Sequence, residues 1–322
     1  MEKILIVTNK DDYTADFLIV KLRQHKIPYW RFNTEEYPQH VALKWHYTDN
    51  KYEGSFSDSK SILDLQDIKS IWFRRPVLPV PSLDIAEIPA IELCVVESNE
   101  FLESIWKVLE CFYVSRPESI RRAESKLYQL KTASSIGFQT PKTLITNDPT
   151  DLLSFYELCS GNVIVKPIRK GRIKYQDGIK LIYSNRVTRI HTDKSNLIKY
   201  APTFFQEYIP KEFELRITMI GNEIFAVAIY SQEESLTVDD WRRDQECKLK
   251  YAEYRLPPDI ESHCRQLLKY FDLQFGAIDM IVTPNGEYFF LEINPNGQWA
   301  WIEEITSLPL SEALMNLLVR GN

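Results

Sequence analysis

The first apolar run, "KILIVT" (3–8), has no polar position to alternate with, the pattern of a strand covered on both faces. "ADFLIVKLRQHK" (15–26) then repeats its apolar residues at helical spacing and stops before Pro28 and a second strand, "YWRFN" (29–33). Together they predict a βαβ opening. "VALKWHY" and "KYEGSFS" alternate about Thr48-Asp49-Asn50 and predict a hairpin over 41–57. "SIWFRRP" (70–76) is a third core strand, with Trp72 facing the core and two arginines at its end. Prolines 76, 79, 81 and 89 make the next stretch a loop. A long helix follows over about 89–111, with proline at its start, where the missing N–H costs nothing. A first domain is expected to end near residue 115.

The second half reads differently. "PESIRRAESKLYQLKTASSIGFQTPKTLIT" (117–146) predicts a helix closed by Gly137, then a proline and a short strand. "NVIVKP" (162–167) and "TFFQEYI" (203–209) are strands on either side of a polar stretch (168–185). "FELRITMI" and "EIFAVAIY" flank Gly221-Asn222, a two-residue hairpin turn. A helix over 259–271, a hairpin about Asn285-Gly286 and a closing helix over 308–319 complete an α+β half rich in antiparallel pairs. The expected divisions are 1–115, 116–202 and 203–322.

Composition narrows the function. With 322 residues and 44% hydrophobic content the chain can fill more than one core. A net charge of −6 argues against a general nucleic-acid binder. Residues 162–200 nevertheless hold ten Lys or Arg against two Asp, which suits an anionic ligand or a mobile, solvated lobe. The five cysteines (94, 111, 159, 247, 264) are scattered and include no CxxC, so reduced thiols in a cytoplasmic protein are expected. No 18-residue apolar segment is present, which predicts no membrane span. Ten glycines are few against a usual ~7%, and no GxGxxG, P-loop or GxSxG string occurs. The five histidines form no HxxxH pair.

The chemistry concentrates at "FLEINPNGQWAWIE" (290–303). Residues i and i+2 of a strand share a face, so Glu292 and Asn294 present their oxygens side by side. Asp279, on the preceding strand, can reach the same end of the sheet by antiparallel pairing. Three oxygen ligands suit Mg²⁺ held jointly with phosphates. Taken alone, the triplet fits equally a capped turn with a salt bridge at a sheet edge. Lys166, after "VIV", puts an ammonium at a strand end, whereas Lys126 on its helix would by itself be a solvated residue. Arg74 and Arg75 read as either a carboxylate grip or an interdomain bridge. Side-chain alternation lets at most one of them enter a cleft.

The order of these parts, a lysine, VKP, QEYI-x₄-E-x-R, then D-x₁₂-E-x-N, resembles the ATP-grasp superfamily over roughly residues 116–320. In that superfamily two α+β lobes clamp ATP. The first domain is similar to the Rossmann-like pre-ATP-grasp domain that precedes them. "IWFRRP" (71–76), "DDWR" (239–242) and "NPNGQWAWIE" (294–303) narrow the resemblance to graspetide (microviridin-type) ligases. These use ATP to join Asp or Glu side chains of a ribosomal precursor peptide, docked by its leader, to Ser or Thr hydroxyls or Lys amines. The resemblance implies Lys126 and Lys166 on the α- and β-phosphates, Glu207 with the backbone of Tyr208 and Ile209 around adenine, and Glu214 on ribose. It implies Asp279, Glu292 and Asn294 on Mg²⁺, with Arg216 and Arg242 facing the γ-phosphate. A homodimer is compatible with it. The Trp299 and Trp301 pair stands where relatives vary, so ring pattern does not carry over. The alternatives are another ATP-grasp ligase acting on a free amino acid or a protein tail, a kinase that stops at phosphoryl transfer, and a nucleotide-binding protein without turnover.

Overall fold

The computed structural model describes residues 2–169, 171–175, 178–244 and 249–321, with the backbone alone at 172, 174 and 179. Lys170 and Asp177 of the basic segment, and Cys247, lie outside the described residues.

The expected βαβ opening is β1 (Lys3–Thr8), α1 (Tyr13–Gln24) and β2 (Tyr29–Asn33). An antiparallel sheet follows, β3 (Ala42–Thr48), β4 (Lys51–Ser57) and β5 (Ile62–Asp64). Its first turn places Asp49 and Asn50 at positive φ, as a tight hairpin demands. β6 (Ile68–Phe73), α2 (Ile88–Val108) and β7 (Phe112–Val114) close the first domain. Its parallel sheet has the order β2-β1-β6-β7.

The helix expected over 117–136 is two, α3 (Pro117–Ala123) and α4 (Lys126–Ile136), the second closed by Gly137 in the left-handed region. Next come β8 (Thr143–Thr146), α5 (Pro149–Leu158) and β9 (Val163–Lys166). The polar stretch 168–185 contains a hairpin, β10 (Arg172–Tyr175) and β11 (Gly178–Leu181). β12 (Asn185–Arg186), α6 (Arg189–Asp193) and β13 (Thr203–Glu207) complete this lobe. β13 pairs with both β8 and β9. The smaller sheet, of order β12-β9-β13-β8, therefore runs to residue 207, with β13 one of its two inner strands.

The larger lobe has β14 (Phe213–Ile220), β15 (Glu223–Ile229), β16 (Tyr251–Glu253), α7 (Pro258–Phe271), β17 (Phe275–Val282) and β18 (Tyr288–Asn294). Sheet order is β16-β15-β14-β17-β18, antiparallel throughout. Two helices end the described chain, α8 (Ala300–Thr306), which periodicity did not reveal, and α9 (Leu310–Arg320).

These helices explain how the parts are joined. A parallel sheet needs cover on both faces. One face of the first sheet packs on Leu102, Ile105 and Trp106 of α2. The other face, Ile4, Ile6 and Trp72, packs on α1, on Trp299 and on Leu310 and Leu314 of α9, in one cluster of buried residues. The Ser70 hydroxyl donates to the Leu318 carbonyl at 2.8 Å across the same seam. The C-terminal helices are thus part of the first domain's core.

Candidate active site

Register assembles the site. Arg216 on β14 is the partner of Asp279 on β17, and Asp279 is the partner of Glu292 on β18. Three ionisable side chains consequently stand in one row across three strands. Asn294 pairs with Ala277, one step further along the same face of β18 as Glu292. Between Asp279 and Met280 the register shifts, so that Leu291 is an extra residue on β18. Such a bulge re-aims the side chains beside it.

Each charge in the row has a counter-charge. Arg216, buried, donates to both Asp279 oxygens at 2.9 and 3.1 Å and to the Gln298 carbonyl at 2.9 Å. Lys126, the first residue of α4, leaves its helix to meet Glu292 at 2.8 Å. It is a paired and largely covered cation, not a solvated one. Lys166 donates to Gln206 Oε1 at 2.8 Å and lies 4.9 Å from the Phe204 ring centroid. Burial lowers its ammonium to about 8, against the opposing pull of Glu292. Burial by itself would raise the Glu292 carboxyl, but Lys126, Lys166 and Arg242 outweigh it and hold it at about 2. The Asp279 carboxyl is shifted upward, because burial and the neighbouring Glu292 prevail over Arg216.

Arg242 sits in a single turn, 241–243, that Asp240 organises. The Asp240 carboxylate accepts from Arg242 Nε and Nη2, each at 2.7 Å, and from the Ser184 N–H at 2.9 Å. Burial acts against the guanidinium, yet Asp240 and then Glu292 and Asp279 raise its pKa, which keeps it charged. Trp241 packs on Trp301 of α8 at 5.1 Å between centroids, anchoring the turn to the segment that follows the candidate metal ligands. Trp299 itself is fully buried against Phe17 and Trp72.

Arg74 and Arg75 correct the alternation argument. β6 ends at Phe73, so the rule for adjacent strand residues no longer applies, and both guanidiniums converge on the Asn296 carbonyl. Arg74 is 1% exposed; it also donates to Gln298 Oε1 at 2.9 Å and faces the buried Asp12 carboxylate at 3.4 Å. Burial and Arg75 lower it to about 9, still protonated at neutral pH. Gln298 accepts from Thr14 as well. The contact is an interdomain bridge, and it grips the loop that directly follows Asn294.

The residues assigned to the nucleoside are brought to neighbouring strand ends but are already engaged. Glu207 pairs with Lys142 at 2.8 Å. The Tyr208 N–H donates to the Asn162 carbonyl at 2.8 Å, so that hinge donor is used within the protein. The Tyr208 ring lies under the Arg186 guanidinium, and Ile209 is buried. Glu214 is buried between Lys211 and the Ser231 hydroxyl, and burial raises its carboxyl. Lys211, Gln206, Asp240, Asp12 and Gln298 were not singled out from the sequence, although Gln206, Asp240 and Gln298 lie inside the strings quoted there.

Two carboxylates and an amide on adjacent strands make an oxygen-only donor set suited to a hard cation shared with phosphates. Among the described residues no group of three or more His, Cys, Asp or Glu could hold a metal without such help.

Residues 3–121 match the family model described as the MvdD pre-ATP-grasp domain. Fold and site define an ADP-forming ATP-grasp ligase preceded by a domain of that type. More particularly, the chain is similar to a RiPP-associated ATP-grasp ligase of Chryseobacterium gregarium, solved with ADP and a leader and core peptide. The two share 29% identity over 100% of this chain and 98% of that one, with a TM-score of 0.92. The macrocyclase MdnC of Microcystis aeruginosa, solved with precursor peptide MdnA, is 29% identical over 99% and 100% of the two chains, TM-score 0.87. MdnB from the same organism is 28% identical over 99% of each, TM-score 0.83. D-alanyl-alanine synthetase A of Vibrio cholerae, at 12% identity and TM-score 0.59, shares the fold. No curated protein matches the sequence. No helix among the described residues is long and apolar enough to cross a membrane.

Proposed function

We propose that the chain is a graspetide synthetase, which phosphorylates Asp or Glu side chains of a ribosomal precursor peptide and condenses them with Ser or Thr hydroxyls or Lys amines of the same peptide. The observation that carries this reading is the row Arg216–Asp279–Glu292, closed by Lys126 at one side and overlooked by Arg242. It gathers three cations around two carboxylates in one row across the larger sheet, beside the loop that follows Asn294.

A carboxylate attacking a triphosphate brings like charges together, and the step proceeds only where that charge is neutralised. Lys126 and Lys166 would hold the α- and β-phosphates, Arg216 and Arg242 the transferring phosphoryl group. Asp279, Glu292 and Asn294 would hold Mg²⁺, which when bound supplies positive charge to the phosphate oxygens. Lys126 and Arg216, which neutralise these carboxylates in the structure, are then the cations that turn to nucleotide. The hinge after β13 would receive adenine, and Glu214 the ribose hydroxyls.

Phosphoryl transfer converts an unreactive carboxylate oxygen into a leaving group and releases ADP. The peptide hydroxyl or amine then attacks the acyl carbon, the C–O bond to phosphate breaks, and the nucleophile's proton leaves with phosphate. Each crosslink costs the peptide one water. Arg74 and Arg75 act in this scheme by holding the 294–298 loop, and Arg75, the less buried of the two, would be the one to meet a substrate carboxylate. The protein works in the cytoplasm, where its free thiols stay reduced. Mass spectrometry of the precursor encoded beside the gene, incubated with ATP and Mg²⁺, tests the reading. Loss of one water per crosslink is expected; an unchanged peptide with ATP consumed, or a stable phosphopeptide, would overturn it.

A further inference from the structure

β18 is an outer strand of the larger sheet, so one side of it has no partner strand. Such an edge carries N–H and C=O groups that must find other partners where they are buried. At Ile293, the residue between Glu292 and Asn294, the partner is one side chain. Gln129 of α4 accepts from the Ile293 N–H at 3.0 Å and donates to the Ile293 carbonyl at 2.8 Å. The amide thus makes the two bonds that a neighbouring strand would make. Its other proton goes to the carbonyl of Ala123, the last residue of α3, at 2.5 Å. Gln129 is 2% exposed, and a buried amide is tolerated where its bonds are made in this way.

The places it holds matter to the site. Ala123 ends the helix before the two-residue corner, Glu124 and Ser125, from which Lys126 emerges. Ile293 points its own side chain into the core, so Glu292 and Asn294 on either side of it share the opposite face. Any slip of the strand edge against α4 would therefore move both oxygen donors together, away from the Lys126 ammonium that stands 2.8 Å from Glu292. We infer that Gln129 is a positioning residue of this site: by tying the α3–α4 corner and Ile293 to one amide, it sets the place of Lys126 against Glu292 and Asn294. It thereby sets the fit of the cation those oxygens would share with phosphate. This rests on the Mg²⁺ role proposed above for Glu292 and Asn294.

Two measurements on the full chain test it. In Gln129→Met, close in size but unable to pair, hydrogen exchange over 290–294 should accelerate while β14, inside the sheet, stays protected. The Mg²⁺ concentration that half-saturates ADP binding, from titration calorimetry with ADP at a series of Mg²⁺ concentrations, should rise about tenfold, the lower end for groups that stand behind metal ligands. Gln129→Asn keeps the amide but is one methylene too short to span both backbones; it should raise that concentration as well, and it serves where the methionine variant does not fold. A role confined to stability would lower the thermal midpoint and leave the Mg²⁺ dependence where it is, which overturns the inference. Glu292→Gln separates the two claims. If it raises the half-saturating Mg²⁺ and neither Gln129 variant does, the positioning role falls and the metal assignment stands. If none of the three raises it, the metal assignment falls and this inference falls with it.

Discussion

The Lys126 ammonium, at the first position of α4, stands 2.8 Å from the carboxylate of Glu292, on the last strand of the larger sheet. α4 packs directly on β18 and α7, with Gln129 bonded to the Ile293 backbone, so the pair forms inside one packed unit, and Lys126 reaches the smaller lobe as well by donating to the Pro167 carbonyl at 3.3 Å.

Glu292→Gln should abolish turnover while the fold is retained, because a candidate metal ligand loses its charge and Lys126, Lys166 and Arg242 lose their common counter-ion. Crosslinking rate beside circular dichroism measures this, and unchanged turnover would contradict the assignment. The same variant has a stability signature. The Glu292 carboxyl is held at about 2, below its usual 4.5, so its contribution is fully present above 4.5 and is lost as pH falls towards 2. Without nucleotide, the variant should therefore lose less stability than wild type across that window.

Nucleotide affinity should depend on pH through Lys166. Its ammonium is lowered to about 8, so it is charged below that value and loses its proton above it. ATP binding should weaken as pH rises from 7 to 9. Lys166→Arg, which stays charged, should flatten the profile. Equal slopes for the two proteins in titration calorimetry would remove Lys166 from the phosphate site.

Arg242→Ala should reduce kcat by about 100-fold or more, the scale of losing one donor to a developing charge, while the Kd for ATP changes far less. Asp240→Asn should reproduce part of the loss, since Asp240 orients the guanidinium through two bonds of 2.7 Å. Equal effects on kcat and Kd would deny Arg242 a transition-state role.

Arg74→Ala leaves the Asp12 carboxylate buried without its cation, and breaking such a buried pair costs about 3–5 kcal/mol. The thermal midpoint should fall sharply, and Asp12→Asn should fall with it. Arg75→Ala should instead keep the midpoint and impair crosslinking. If Arg74→Ala melted like wild type, the interdomain bridge would carry no weight.

Gly297→Ala should disturb Arg216 and β17 together. An added Cβ would collide with the buried Ala277 Cβ and stand 2.7 Å from Arg216 Nη2. Turnover and the thermal midpoint should both drop, and full activity would show that Arg216 need not hold its place.

Much of this molecule could be read in order along the chain. The unbroken apolar run at 3–8, the Gly221-Asn222 and Asn285-Gly286 turns and the i, i+2 pair Glu292 and Asn294 each report local geometry, which a sequence states directly. The hairpin about Asn285-Gly286 tied Asp279 to Glu292, the resemblance gave that spacing a function, and the strand register places the two directly opposite. Where a local rule was extended past the element it governs, it failed. Alternation separated Arg74 from Arg75, but their strand had already ended, and both turned to one carbonyl.

The sequence by itself determined many of the strands and helices, though not α5, α8 or the β10–β11 hairpin, as well as which residue types can carry phosphate chemistry and the family likeness. Only the tertiary structure decided which charge meets which. Lys126 chose Glu292 over solvent, Arg74 met Asn296 and Asp12, and α9 became core for a domain that begins more than three hundred residues earlier. The reason is physical. Secondary structure follows from neighbours a few positions apart, whereas an ion pair or a covered sheet face depends on chain segments that meet only after folding, at distances no spacing encodes.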